Sequence, residues 1–249
     1  MYVNTTGLVL RETAYKDSSK ILTVLTADVG KLTVSARGAV RRNSKLAAAA
    51  QLLVFSEMTL FSNRDRWTLT EARSIEQFSG LQNDIVSLAL GSYFAELAEA
   101  VADEDSPNAE LLPLCLNALY ALSEKLKPPM FIKAVFELRL IAASGFAPIL
   151  SHCALCGEEN PQSVNLDVDG GVINCAGCNS TGEAVLHKGA LDAARYVLGC
   201  EQKKLLSFSL KDESMRELAF AAEKYLLRQL DRQFRTLDYL KKVNYHGSA

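Results

Sequence analysis

The chain has 249 residues, 49% of them hydrophobic and 22% charged, with a formal net charge of −2 and six cysteines. This composition excludes a disordered, collagenous or disulfide-stapled polypeptide: a chain of this length buries roughly 70–75% of its unfolded surface and needs no disulfide to fold. No run of about 18 apolar residues is present, and "MYVNTTGLVLRETAYKDSS" lacks the basic, apolar and small-residue regions of a signal peptide. The expected location is therefore cytoplasmic, away from membranes, where regularly spaced cysteines serve as metal ligands.

From Thr6 to about Phe78 the chain reads as strands: "GLVLRETAY", "KILTVLTADVGKLTVSARG" and "LLVFSEMTLFSNRDRWTLTEARSIEQF". Ala27-Asp28-Val29-Gly30 is a hairpin turn in which Gly30 supplies the positive φ, and Asn63-Arg64-Asp65 makes a second turn. Alternation sends Leu32, Val34 and Ala36 inward and Lys31, Thr33 and Ser35 outward. About five short antiparallel strands fit a small barrel, of which the OB-fold is the common nucleic-acid-binding example; an SH3-like barrel is the alternative.

After residue 80 the period changes. Val86, Leu90, Tyr93, Phe94, Leu97 and Val101 form one stripe of a helix, closed by "ADEDSPNAE", with Asp103 and Asp105 in a solvated turn. A second helix runs from about 108 to 125. Pro128-Pro129 opens a third, "MFIKAVFELRLIAASG", whose apolar residues nearly encircle it, so it is expected to be buried. Two more helices follow, about 188–198 and 214–240, the latter with Ser214 and Glu217 at capping-box spacing. The expected architecture is α+β and multidomain: an OB-fold barrel over 1–80, a helical domain over 81–150 and 180–243, and a zinc element over 151–180 inserted in it.

That inserted segment carries the most specific motif. Cys153-x-x-Cys156, eighteen intervening residues and Cys175-x-x-Cys178 match a tetrahedral four-thiolate zinc site. A two-residue gap lets a tight turn aim both sulfurs at one metal, and "VNLDVDGGVIN" supplies a hairpin that returns the second pair. Four thiolates close the coordination shell, so one structural zinc is expected, with no open position for a reactive water. His152 adjoins the site without being needed as a ligand, and Cys115 and Cys200 read as small core residues.

Charge is uneven. Residues 1–80 hold 11 basic and 7 acidic side chains, net +4; the remainder is net −6. The densest basic stretch is "SARGAVRRNSKLAAAA", with Arg37, Arg41, Arg42 and Lys45 on a loop that leaves a strand. Such a loop beside a small barrel neutralises phosphates, or is simply a solvated charged loop. Lys20, Lys31, Arg11, Arg64 and Arg66 extend the patch if their strands lie alongside. Trp67, the only tryptophan, either stacks on a base or fills the core. No phosphate-binding G-x-x-x-x-G-K-[ST], no G-x-S-x-G and no H-E-x-x-H occurs, and the three histidines form no recognisable base and nucleophile pair; a non-enzymatic protein is expected.

Three segments, in order, resemble the bacterial RecO family of DNA repair proteins. They are "GLVLRETAYKDSSKILTVLTADVGKLTVSARGAVRRNSKL", "FELRLIAASGFAPILSHCALCG" and "YLLRQLDRQFRTLDYLKKV". The resemblance implies an N-terminal OB-fold, a helical bundle and a zinc finger packed on it. It also implies an ATP-independent recombination mediator of the RecF pathway that binds single- and double-stranded DNA and anneals complementary strands. Such a mediator helps RecA displace single-strand-binding protein, usually with RecR. On that resemblance Arg37, Arg41, Arg42 and Lys45 are DNA contacts and the four cysteines are zinc ligands. The competing reading of the motifs alone is a zinc-ribbon protein adaptor in which the basic loop is incidental.

Overall fold

The structure is a computed structural model that describes residues 1–246 apart from 65, 105, 107, 180, 181 and 183, with only the backbone of 244–246. Asp65 and Asp105, both placed in turns by the sequence, lie outside the described residues, as does the His246 side chain. The chain forms two compact units: residues 1–124 together with the stretch from Phe234 onward, and Lys125–Gln233.

In the first unit, strands β1 (Tyr2–Tyr15), β2 (Ser19–Thr26), β3 (Gly30–Ala36), β4 (Phe55–Asn63) and β5 (Arg66–Glu76) close into a barrel in the order β1-β2-β3-β5-β4. This is an OB-fold, not the SH3-like alternative. Strand β1 serves two neighbours, pairing with β4 through Tyr2–Leu8 and with β2 through Gly7–Tyr15. A register shift between Val9 and Arg11 gives it the bend this needs. Inward-facing Leu22, Val24, Leu32, Val34, Leu60 and Leu69 fill the barrel, each 3% exposed or less, and each such burial contributes about 1.5–3 kcal/mol. Gly30 has φ +79°, and a Cβ there would meet the Ser106 backbone at 2.5 Å, so the hairpin turn accepts only glycine.

Between β3 and β4 the chain makes successive turns, with Arg41 N–H donating to Gly38 O, Ser44 N–H to Arg41 O and Ala50 N–H to Leu46 O. Ala39 and Ala50 are buried in the barrel core, so the basic loop is pinned at both ends. Helices α1 (Ile85–Val101) and α2 (Leu111–Ser123) follow, α1 being capped by Asp84, whose carboxylate accepts from Val86 and Ser87 N–H.

The second unit is built around α3 (Pro129–Ala143), whose buried residues, Phe131, Ile132, Val135, Phe136, Leu138 and Ile141 among them, lie on every side, as the sequence led us to expect. A four-stranded sheet, order β6-β8-β7-β9, comprises β6 (Ile149–Cys153), β7 (Ser163–Asp167), β8 (Val172–Cys175) and β9 (Val185–His187). Helices α4 (Lys188–Gly199) and α5 (Asp212–Leu230) pack with it. Arg195 donates to the carbonyls of Leu150, Ser151 and Glu159, and Gln229 donates to Val168 O. Inside the unit Lys133 bridges α3 to α5, 2.7 Å from both Glu137 and Glu223. Burial alone would lower its pKa, but the two carboxylates outweigh burial and hold it above the usual lysine value.

The single helix expected over 214–240 is two. Asp231 adopts φ +44°, ending α5, and α6 (Arg235–His246) restarts after Phe234 and returns to the first unit. There Phe234 packs edge-on against Tyr93 and Thr236 donates to Glu96. Aspartate is one of the few residues that tolerates the left-handed conformation, so the break needs no glycine or proline. The expected Ser214 capping box is also replaced: Asp212 and Glu213 occupy the first turn, and Glu217 instead accepts from the His187 backbone and contacts its ring.

Candidate nucleic-acid interface and metal centre

The barrel wall carries a groove of about 790 Å³ whose floor follows from the strand register. With Leu22, Val34 and Leu69 pointing inward, the alternate residues point out. Thr13 pairs with Ile21, Ile21 with Ser35 and Ser35 with Thr68, one row across four strands; Tyr15 pairs with Ser19 in the next. The floor is therefore mostly serine and threonine, short enough for a backbone to approach. One wall is the β1–β2 turn with Tyr15 and Lys16; the other is the start of β5 with Arg66 and Trp67. Arg37 and Arg41 stand at the end where β3 runs into the loop.

Gly38 holds that corner, with φ +71° and its N–H donating to Ser19 Oγ at 3.3 Å. Among the described residues, four cations and no carboxylate line the groove. It lies on the face that OB-folds use for oligonucleotides, the β2–β3 surface flanked by the loops after β1 and β4.

Of the nine cations singled out in the sequence, the structure brings Arg37, Arg41 and Arg66 together in this groove. Arg42, Lys45 and Arg64 are exposed outside its lining. Arg11, Lys20 and Lys31 have internal partners: Arg11 pairs with Glu99 at 2.7 Å, Lys20 with Glu12 at 2.7 Å, and Lys31 Nζ donates to Glu99 O at 3.0 Å. Trp67, paired with the inward-facing Val34, packs half-buried against the barrel core and borders the groove. Sequence reasoning passed over Tyr15 and Lys16. The available signal was an aromatic followed by a lysine at the tip of the first hairpin, one of the OB-fold's ligand-binding loops.

In the second unit the four cysteine sulfurs lie within 4.8 Å of one another, with Cys156 and Cys175 Sγ 3.7 Å apart. A tetrahedral ion bound at about 2.3 Å requires sulfur separations of about 3.8 Å, so the cluster fits one thiophilic metal. The hairpin forms as the spacing implied: β7 and β8 pair from Val164–Cys175 to Asp167–Val172, and Asp167 Oδ1 accepts from Asp169 and Gly170 N–H in the turn.

Backbone donors already favour a thiolate at the buried member. Cys175 N–H lies 3.2 Å from Cys153 Sγ, and this bond, with a weaker one from the Cys156 amide, lowers the Cys153 pKa to about 6. Cys178 is pushed up to about 12, chiefly by thiol contacts with Cys175 and Cys156, because neighbouring thiols this close do not all ionise. His152 is bonded to Ser151 at 2.8 Å and stands outside the cluster.

Fold and site together define an OB-fold protein with a cationic groove and a separate four-cysteine metal-binding element. The model for the N-terminal domain of recombination protein O matches residues 1–78 and that for its C-terminal domain residues 82–238. The chain thus belongs to the RecO family of DNA repair proteins. It is 31% identical to the DNA repair protein RecO of Acetivibrio thermocellus over 98% of both chains. It is 32% identical to that of Symbiobacterium thermophilum over 95% of this chain and 96% of the relative. To that of Listeria monocytogenes it is 36% identical over 61% and 59%. Among the described residues no helix is long and apolar enough to cross a membrane.

Proposed function

We propose that the protein is an ATP-independent, non-enzymatic recombination mediator. In this reading it binds single- and double-stranded DNA and anneals complementary strands. It acts with RecR to help RecA load on DNA coated by single-strand-binding protein, in the cytoplasm at the nucleoid. The observation that carries the proposal is the barrel groove, lined among the described residues by four cations and no carboxylate. Annealing brings two polyanions together without making or breaking a covalent bond. Arginine and lysine along a groove release condensed counterions and reduce the repulsion between strands, while leaving base edges free to pair.

Within this division of labour Arg37, Arg41, Arg66 and Lys16 are the groove's phosphate contacts, and Arg42, Lys45 and Arg64 extend the field around it. Arg11, Lys20 and Lys31 fix the barrel and its first helix, a role their internal partners support. The cysteine cluster takes one zinc ion, held by Cys153, Cys156, Cys175 and Cys178. Zinc supplies a closed structural crosslink between the two turns, with no reactive position.

The test is annealing of complementary oligonucleotides coated with single-strand-binding protein, with and without ATP. Annealing at a rate independent of ATP is expected; a protein that neither binds nor anneals DNA leaves the adaptor reading in its place. Arg41→Glu with Arg42→Glu should weaken binding and annealing while the protein stays folded. Metal analysis should return about one zinc per chain, falling below about 0.1 in Cys175→Ser, because three remaining thiolates leave the tetrahedral shell incomplete. A folded wild-type preparation without metal would overturn the zinc assignment.

A further inference from the structure

We infer that Asn165 is a positioning residue of the cysteine cluster: its buried side-chain amide sets the Cys175–Cys178 turn so that Cys178 meets the ion. This rests on the reading of the cluster as a zinc site.

The two cysteine turns are held unequally. In the first, Cys153 lies buried on β6, its N–H donates to Glu158 O, and Ala154 N–H donates to Ile173 O. Arg195 fixes the carbonyls on either side, at Ser151 and Glu159. The second turn stands out from the sheet: Ala176, Gly177 and Cys178 are exposed, and a Cβ added at Gly177 would meet nothing within 4 Å. Cys178 and Asn179 N–H both donate to Cys175 O, which closes the turn on itself without tying it to its surroundings. Two bonds make that tie. Ala176 N–H donates to Ser163 O at the entry, and the Asn165 side-chain amide donates to Asn179 O at the exit, one residue past Cys178.

Asn165 occupies the middle of β7 at 5% exposure, a place where a β-branched or apolar residue is the ordinary occupant and asparagine a poor strand former. A buried amide is tolerated only when hydrogen bonded. Among the described residues Asn165 Oδ1 has no partner, so the bond from Nδ2 to Asn179 O supplies that compensation. Its neighbours Val164 and Leu166 are buried on the opposite face of the strand, which turns Asn165 toward the chain running from the second turn to β9. Gly182 in that connection comes so close that a Cβ would overlap the Asn165 side chain, so glycine is needed there for space. The amide is thus clamped between Gly182 and Asn179, and its direction is fixed before any ion arrives. Outer partners that orient metal ligands in this way typically account for about 10- to 100-fold in metal affinity.

The experiment measures zinc affinity of the full-length protein by competition with a chromophoric chelator. Asn165→Leu, similar in size but without the donor, should weaken binding about 10- to 100-fold. Gln229→Leu removes the same kind of bond, from a side-chain amide to Val168 O, at the other end of the β7–β8 hairpin. It should leave zinc affinity within about twofold, as a distant and independent site does. Gly182→Ala keeps the amide but displaces it; a loss of about tenfold is expected, and this variant decides the matter if Asn165→Leu does not fold. With cobalt(II) as the probe, the visible bands of a tetrahedral four-thiolate site should be full in the wild type and in Gln229→Leu. They should weaken in Asn165→Leu, where water replaces the Cys178 thiolate. Wild-type zinc affinity and cobalt bands in both Asn165→Leu and Gly182→Ala, or an equal loss in Gln229→Leu, overturn the inference while leaving the zinc assignment intact. A folded wild type that binds neither metal overturns both.

Discussion

Two grooves of similar size on the barrel differ in charge. The one across β1, β2, β3 and β5, about 790 Å³, is lined by Lys16, Arg37, Arg41 and Arg66. The other, about 680 Å³, lies on the β1, β4 and β5 stretch of the same wall and presents Asp28, Glu57 and Glu71 with a single cation, Arg73. Both are made in the same way: outward rows set by register, Asn4 with Thr59 and Thr59 with Glu71 in the second groove, as Ile21, Ser35 and Thr68 in the first. Shape does not separate them. Their lining charge does, and for a polyanionic ligand that is the term that decides which face is approached.

The comparison is tested most severely by reversing charge in the first groove. Arg37→Glu with Arg41→Glu should lower affinity for single-stranded DNA about 30- to 100-fold at 0.1 M salt and flatten the plot of log affinity against log salt by about 1.4, two contacts at about 0.7 each. An unchanged salt slope would mean that these arginines never meet phosphate. A smaller effect is expected from Arg66→Gln, which removes one charge from the opposite wall without adding a negative one; a loss of about three- to fivefold with the slope reduced by about 0.7 is the expected titration result.

A different kind of change should follow Lys31→Gln. Its ammonium donates to Glu99 O, so the loss should appear as about 1 kcal/mol of stability in urea unfolding, with DNA affinity within twofold of wild type. Arg11 pairs with Glu99 while 62% exposed, a surface pair worth roughly 0–1 kcal/mol, and Arg11→Gln should be milder still.

These residues also mark where the sequence was readable. The clustering of the cysteines was legible because its information is local: two matched gaps and a hairpin turn over twenty-six residues bring the four sulfurs together. The barrel strands were legible through alternation at Leu32, Val34 and Ala36. The groove was legible only in part. Alternation tells which residues face out but not which strands are neighbours, and the row from Ser35 to Thr68 exists because β3 and β5 pair in parallel across the closure of the barrel. Charge counting picked out Arg37, Arg41 and Arg66, but it could not foresee that Arg11 and Lys31 find their partner at Glu99, far along the chain on α1. It was also blind to Tyr15 and Lys16, which line the groove from the β1–β2 turn. The break at Asp231 escaped for a related reason: residues on both sides fit one helical stripe, and only the return of Phe234 to Tyr93 and of Thr236 to Glu96 requires the chain to turn there.

The smallest predicted effect probes the acidic groove itself. Glu57→Gln with Glu71→Gln removes two of its three carboxylates, leaving Asp28, whose Oδ2 is engaged by Thr5 Oγ1 at 2.8 Å, and releases Arg73 from its 3.9 Å approach to Glu57. If DNA uses the cationic groove alone, these charges act on it only through solvent. At 0.15 M salt the screening length is about 8 Å, and affinity should rise less than twofold with an unchanged salt slope. A rise above about fivefold, or a slope steeper by about 0.7, would show that Arg73 had become a phosphate contact and that the strand passes over both grooves. The carboxylates would then set the limit of the DNA path around the barrel, and the difference between the grooves would be one of affinity along a shared track.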